Sequence, residues 1–203
     1  MNCLREAESS TKKVYEEEAQ AFADQRGKSL FEKKWLDLFL SKLPTKAEIL
    51  DVGCGPAKPI AQYLIDKGSV VSGIDYSKSM IEIAQRNFPE NEWLVQDMVN
   101  LNLKKKFDGL IAWNSFFHLT RDDQKITLRN FAQHLKENGI LLFTAGPENG
   151  EVLGKVNGRD VYHSSLSVDE YQSLLKTNAM ELVDYKLNDP ECGQHSVFLA
   201  RVL

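Results

Sequence analysis

The stretch Ile49-Leu50-Asp51-Val52-Gly53-Cys54-Gly55-Pro56-Ala57 restricts the folds open to this chain more than any other. Ile49, Leu50 and Val52 read as a buried strand around one acid, and Gly53 and Gly55 then break it. Glycine has no Cβ, so it admits positive φ and lets a ligand approach its backbone. Pro59-Ile60-Ala61-Gln62-Tyr63-Leu64-Ile65 reads as a helix, with Pro59 in the first turn, where a missing N–H costs nothing. Strand, glycine turn and helix open a nucleotide-binding βαβ unit.

The dinucleotide fingerprint G-x-G-x-x-G fails here, because its third glycine falls on Lys58. The P-loop pattern G-x-x-x-x-G-K-[ST] is absent as well. Downstream, strand and helix signals alternate. Strands are expected near 48–52, 68–75, 92–95, 107–113 and 140–144, with helices near 59–67, from Ser77 onward, and near 121–136. That rhythm argues for a parallel sheet covered by helices on both faces. Residues 11–42 show helical spacing broken at Arg26-Gly27, and 146–163 read as a long polar loop. Ser167 to Glu170 is a capping box opening a helix to about Lys176. Two strands, near 180–187 and 196–202, follow with no helix between them.

Ligands of such sheets bind beyond the carboxyl ends of the strands. The residues at those places are Gly53 and Gly55, then Asp75, then Gln96-Asp97-Met98, then Asn114-Ser115-Phe116-Phe117-His118. An acid at the place of Asp75 can accept both hydrogen bonds of a ribose diol.

These residues together carry a resemblance. Asp51, Gly53 and Gly55 match the (D/E)-x-G-x-G-x-G motif of the class I S-adenosylmethionine-dependent methyltransferases, with Ala57 in place of its last glycine. LDVGCGPA, GIDYS, QDM and FDGLIAWNSFFHL stand in that family's order and spacing over roughly residues 45–145. The resemblance implies a Rossmann-like, seven-stranded, mostly parallel α/β sheet that closes in an antiparallel hairpin. It also implies an N-terminal helical lid. It implies S-adenosyl-L-methionine as cofactor. Asp51, Gly53, Cys54 and Gly55 would lie against its methionine part, and Asn114 would face it. Asp75 would hold the ribose and Tyr76 the adenine, with Asp97 accepting from the adenine amino group beside Met98. Tyr15 and Arg26 in the lid would reach the methionine carboxylate. Taken singly, Asp75 also suits a helix N-terminus and Asp97 a turn.

Methyl transfer needs an acceptor held in line, and oxygen or nitrogen acceptors also need a base. His118, soonest after the fourth strand, is the expected base. Phe117, Tyr162, His163 and His195 are the expected acceptor wall, and His134 is read as structural. The alternative for His118 is simple packing beside Phe117. The Asp/Asn-Pro-Pro-aromatic motif of enzymes that methylate DNA or protein amides is absent, since Ser115-Phe116 follows Asn114. A small-molecule acceptor is therefore expected, with oxygen, nitrogen, sulfur and carbon all open as the methylated atom.

The chain has 203 residues and reads as one domain. Its parts are a helical cover (1–44), a cofactor core (45–145) and an acceptor-side segment (146–203). A net charge of -4 speaks against a nucleic-acid surface. Cys3, Cys54 and Cys192 lack metal or disulfide spacing, so no metal is expected and a reducing cytoplasm fits. No stretch approaches a membrane span, and no signal fixes an oligomeric state. Two rival functions share these features: a non-catalytic cofactor-binding module, and a nucleotide-dependent oxidoreductase, against which Lys58 argues.

Overall fold

The computed structural model describes residues 2–26 and 29–203. Five strands run parallel: β1 (Glu48–Val52), β2 (Val70–Asp75), β3 (Glu92–Val95), β4 (Phe107–Ala112) and β5 (Leu135–Ala145). With β8 (Met180–Asp189) and β9 (His195–Val202) they form a seven-stranded sheet, ordered β3-β2-β1-β4-β5-β9-β8. Only β9 opposes its neighbours. Strand order reverses between β1 and β4, and that switch point opens a crevice at their carboxyl ends.

Alternate side chains of each strand enter two separate cores, as a sheet covered on both faces requires. Leu50, Leu110 and Leu141 face a core closed by Leu128 and Phe131 of α6 (Arg121–His134) and Tyr171 and Leu175 of α7 (Val168–Thr177). Ile49, Ile111 and Leu142 face the other core. It is closed by Trp35 and Phe39 of α3 (Lys33–Ser41), Leu64 of α4 (Ile60–Asp66) and Ile81 of α5 (Lys78–Asn87). Ser167 and Glu170 make both bonds of the capping box at α7. His134 is structural: its Nδ1 donates to the Asn130 carbonyl and its Nε2 accepts from the Leu103 N–H.

Three expectations need correction. Residues 146–163 are not a loop. They supply β6 (Gly150–Val156) and most of β7 (Arg159–Ser165), a separate antiparallel hairpin. It turns on Asn157 and Gly158, both at positive φ, the conformation that favours Asn-Gly in a two-residue hairpin loop. Helix also begins earlier than read, with α1 (Asn2–Glu17) and α2 (Ala19–Gln25) parted at Glu18. Finally, β5 starts directly after α6 at Leu135, so the Glu137-Asn138-Gly139 punctuation falls inside a strand, where Asn138 takes a positive φ. Gly27, half of the expected break after α2, lies outside the described residues. Among the described residues no helix is long and apolar enough to cross a membrane.

Candidate active site

A cavity of about 380 Å³ sits at the carboxyl edge of β1, β2 and β4. Its floor is the glycine turn. Gly53 has φ +72°, and its N–H and that of Cys54 donate to the Ile74 carbonyl at 2.8 and 3.0 Å. Asp75, at the end of β2, accepts from the Gly55 N–H at 3.0 Å and the Ser77 N–H at 2.9 Å. A carboxylate has about four lone-pair sites, so two remain for a ligand. Asn114 holds a left-handed backbone, φ +51°, just past β4, and its N–H donates to Thr144 Oγ1. Such a conformation in a non-glycine residue is common at ligand-binding turns.

Burial, then the charge of Asp75, pushes the Asp51 carboxyl up to about 7. Burial pushes Asp75 up to about 6, against the two N–H bonds that favour its charge. The cavity thus holds two buried acids that ionise near neutrality.

Two pieces of the chain cover this floor. α1 is tied down at five points, one of them Glu17, which accepts from Arg159 of β7 at 2.7 Å. Lys12 pairs with Asp97, the Tyr15 hydroxyl lies 2.8 Å from His118 Nε2, and Thr11 Oγ1 accepts from the Tyr162 N–H at 2.9 Å. Glu16 caps α5 from outside, accepting from the hydroxyls of Ser77 and Ser79 at 2.6 and 2.7 Å. The β6–β7 hairpin is the second cover, with Val156 and Val161 packed on Val14 of α1. Glu16→Ala is expected to speed hydrogen exchange across residues 2–17 at least about tenfold while leaving β1, β4 and β5 unchanged, because it removes charge-assisted bonds at one anchor. Unchanged exchange in α1 would show that the other anchors suffice.

Residues 49–139 match the family model described as a methyltransferase domain, just under half of the chain. Over this segment the chain is similar to class I methyltransferase domains. "Putative methyltransferase YqeM" of Bacillus subtilis is 35% identical over 116 residues, 54% of this chain and 45% of that protein. A dTDP-3-amino-3,4,6-trideoxy-alpha-D-glucopyranose N,N-dimethyltransferase of Streptomyces venezuelae is 26% identical over 145 residues, 66% of this chain and 60% of that one. The chain spans about half the length of the curated relatives it matches. The fold likeness extends further. The Burkholderia thailandensis 1,6-didemethyltoxoflavin-N1-methyltransferase, solved with 1,6-didemethyltoxoflavin and S-adenosylhomocysteine, superposes with a TM-score of 0.75 at 18% identity. That match covers 98% of this chain and 90% of that one.

Most of the residues singled out by sequence meet at one cavity. Asp51, Gly53, Cys54, Gly55, Asp75, Tyr76, Met98 and Asn114 line it, as do Tyr15, Arg26, Phe117, His118, His163 and His195. Two do not. Asp97 turns away to cap a short helical turn through the Val99 N–H and to pair with Lys12. Tyr162 alternates with His163 along β7, so its ring is buried away from the cavity and its hydroxyl donates to Glu151 at 2.5 Å. Arg26 faces the cavity but is paired with the fully buried Glu32. Sequence reasoning missed Phe22, Trp113, Lys155 and Val156 on the wall. The Asn157-Gly158 turn was the signal for the last two.

His118 differs most from expectation. Its Nδ1 lies 2.9 Å from the Tyr162 carbonyl oxygen, which can only accept, so Nδ1 carries the hydrogen. Nε2 then accepts the Tyr15 hydroxyl proton. Burial pushes the imidazole down to about 3, with nearby His163 acting in the same direction. His118 is neutral and both its nitrogens are engaged.

Proposed function

We propose that the chain transfers a methyl group from S-adenosylmethionine to a small-molecule acceptor. The observation that carries this reading is the Asp75 carboxylate, fixed by Gly55 and Ser77 at one end of a covered cavity whose far end is aromatic and imidazole-rich. The donor set suits the cofactor: two lone-pair sites on Asp75 for a ribose diol, and buried acids for an ammonium and a sulfonium. Asp51 and the turn Gly53–Gly55 hold the methionine part, with Asn114 opposite. Tyr76 and Met98 flank the adenine, and Asp97 reaches its amino group once Lys12 yields. Arg26 offers the guanidinium N–H groups not used by Glu32 to the carboxylate. The Tyr15 hydroxyl donates its hydrogen bond to His118 Nε2, so its oxygen can accept from a ligand but has no hydrogen left for that carboxylate. The cofactor supplies an electrophilic methyl carbon. The protein's own work is to align the acceptor and exclude water.

The three parts of the chain act as one unit, with helices over the cofactor and the hairpin over the acceptor. The net charge of -4 and the covered cavity favour a small acceptor over nucleic acid. Relatives named for aminosugars favour an amine. The free thiols of Cys3, Cys54 and Cys192 suit a reducing cytoplasm. The test is a panel of small amines, phenols, thiols and carboxylates screened for S-adenosylhomocysteine release, alongside calorimetric binding of S-adenosylhomocysteine. A protein that binds neither cofactor form would refute the reading.

The raised acids make binding pH-dependent. Below about 6 to 7 Asp75 and Asp51 hold protons in the free protein. A cationic ligand favours their charged forms, so binding expels protons and affinity rises from pH 5 to pH 8. Calorimetry at pH 6.5 in buffers of different ionisation enthalpy should show net proton release. Zero release would place neither acid beside the ligand's charge.

A further inference from the structure

Three histidines border the cavity, and their nitrogens are committed differently. Both nitrogens of His118 are engaged, by Tyr15 and the Tyr162 carbonyl. His163 has no hydrogen-bond partner among the described residues. Its ring lies over Gly154 and against Phe117 and His118, at 4.7 and 4.8 Å between centroids, and none of these contacts sets its tautomer. In His195, at the start of β9, Nδ1 lies 2.8 Å from the Cys192 carbonyl oxygen. A carbonyl only accepts, so Nδ1 carries the hydrogen and Nε2 keeps its lone pair. Nε2 has no partner among the described residues, and it is not sealed from the cavity.

The ring of His195 is also fixed in space. It stacks on Phe31 at 5.3 Å and 23°, and lies against Trp113 at 5.9 Å and 32°. Trp113 immediately precedes Asn114, at the end of β4. One imidazole therefore combines a set tautomer, a set plane and an open lone pair beside the strand nearest the switch point.

We infer that His195 is the general base of the methyl transfer, taking through Nε2 the proton that an N–H or O–H acceptor loses. This assignment rests on the methyl-transfer reading above. The acceptor's lone pair forms the new bond to the methyl carbon, and the old carbon–sulfur pair stays on sulfur. The acceptor's proton passes to Nε2 and from there to solvent. While charged, the imidazolium keeps its Nδ1–H bond to the Cys192 carbonyl and its contacts with Phe31 and Trp113, whose aromatic rings attract a cation. His118 lacks this open lone pair, since its Nε2 is already taken by the Tyr15 hydroxyl and its Nδ1 by the Tyr162 carbonyl. His163 then serves the acceptor as a wall.

The experiment uses the full chain, with the amine or phenol found in the release screen as acceptor. His195→Gln should lower kcat roughly 10²–10⁴-fold and leave S-adenosylhomocysteine affinity within about twofold of wild type. His163→Gln should act mainly on KM. Added imidazole should restore part of the kcat lost in His195→Ala, which loss of packing alone would not allow. Two-bond ¹H–¹⁵N spectra of the ligand-free protein should show neutral His195 protonated on Nδ1. Full kcat in a His195→Gln protein that still binds S-adenosylhomocysteine would overturn the assignment, as would an Nε2–H tautomer. A wild-type protein that fails to bind S-adenosylhomocysteine would instead overturn the methyl-transfer reading, and this assignment with it.

Discussion

Asp75→Ala is expected to weaken S-adenosylmethionine binding at least about tenfold, and nearer a hundredfold if both ribose hydroxyls are held. Hydrogen bonds to a charged acceptor contribute roughly 1.5–3 kcal/mol each, and each 1.4 kcal/mol is a decade of affinity. The carboxylate is buried, so solvent does not substitute for it. The same change removes the acceptor for the Gly55 and Ser77 N–H groups, which loosens the turn that cradles the ligand. Asp75→Asn separates the two effects. Its amide oxygen can still take one backbone N–H, but it carries no charge toward the ligand. Titration calorimetry on the three proteins, with thermal melts alongside, reads both. Equal affinity in wild type and Asp75→Ala would remove Asp75 from the site.

Gly53→Ala is expected to cost about 3 kcal/mol or more of stability. A Cβ there would sit 2.3 Å from Ser115 Cβ and 2.8 Å from Ser115 Oγ. Ser115 has little room to yield, because its hydroxyl donates to the Val52 carbonyl at 2.7 Å. The left-handed φ of +72° adds roughly 1–2 kcal/mol for any residue bearing a Cβ. For a chain of this size about 1 kcal/mol moves Tm by roughly 2–4 °C, so a fall near 6–12 °C is expected. Measured against Ser115→Gly, which by itself loses the bond to the Val52 carbonyl, the double variant Gly53→Ala/Ser115→Gly lacks the clash and reports the backbone cost. A single variant melting within about 2 °C of wild type would mean that the turn relaxes freely.

The cofactor side was legible because its chemistry is written locally. Gly53, Asp75, Met98 and Asn114 each stand at a strand's carboxyl end or within three residues past it, so recognising the strands locates the cavity. The acceptor side depends on contacts distant in sequence. His118 looks like a free base until Tyr15, far upstream, is placed on one nitrogen and the Tyr162 carbonyl on the other. Asp97 looks available until Lys12 arrives from α1. The hairpin was hidden for a different reason. Val152 and Leu153 on β6 are adjacent and both exposed, so β6 shows no clean alternation of buried and polar residues. Its Asn157-Gly158 turn was the readable sign. Most of the first ten residues are polar or charged, and α1 is helical there because its other face meets β7.

The clasp between α1 and the hairpin bears on how such a protein can be re-engineered. Thr11 supports the Tyr162 backbone, while Glu17 and Glu18 receive Arg159, and Glu18 also takes Asn157. Segments more than a hundred residues apart in sequence thus form one cover. A chimaera that imports another protein's hairpin to change acceptor choice would leave those two glutamates facing foreign side chains. Val14 would likewise lose the matching valines. The cover is therefore inherited in two parts, and a successful graft must exchange the first helix together with the hairpin it grips.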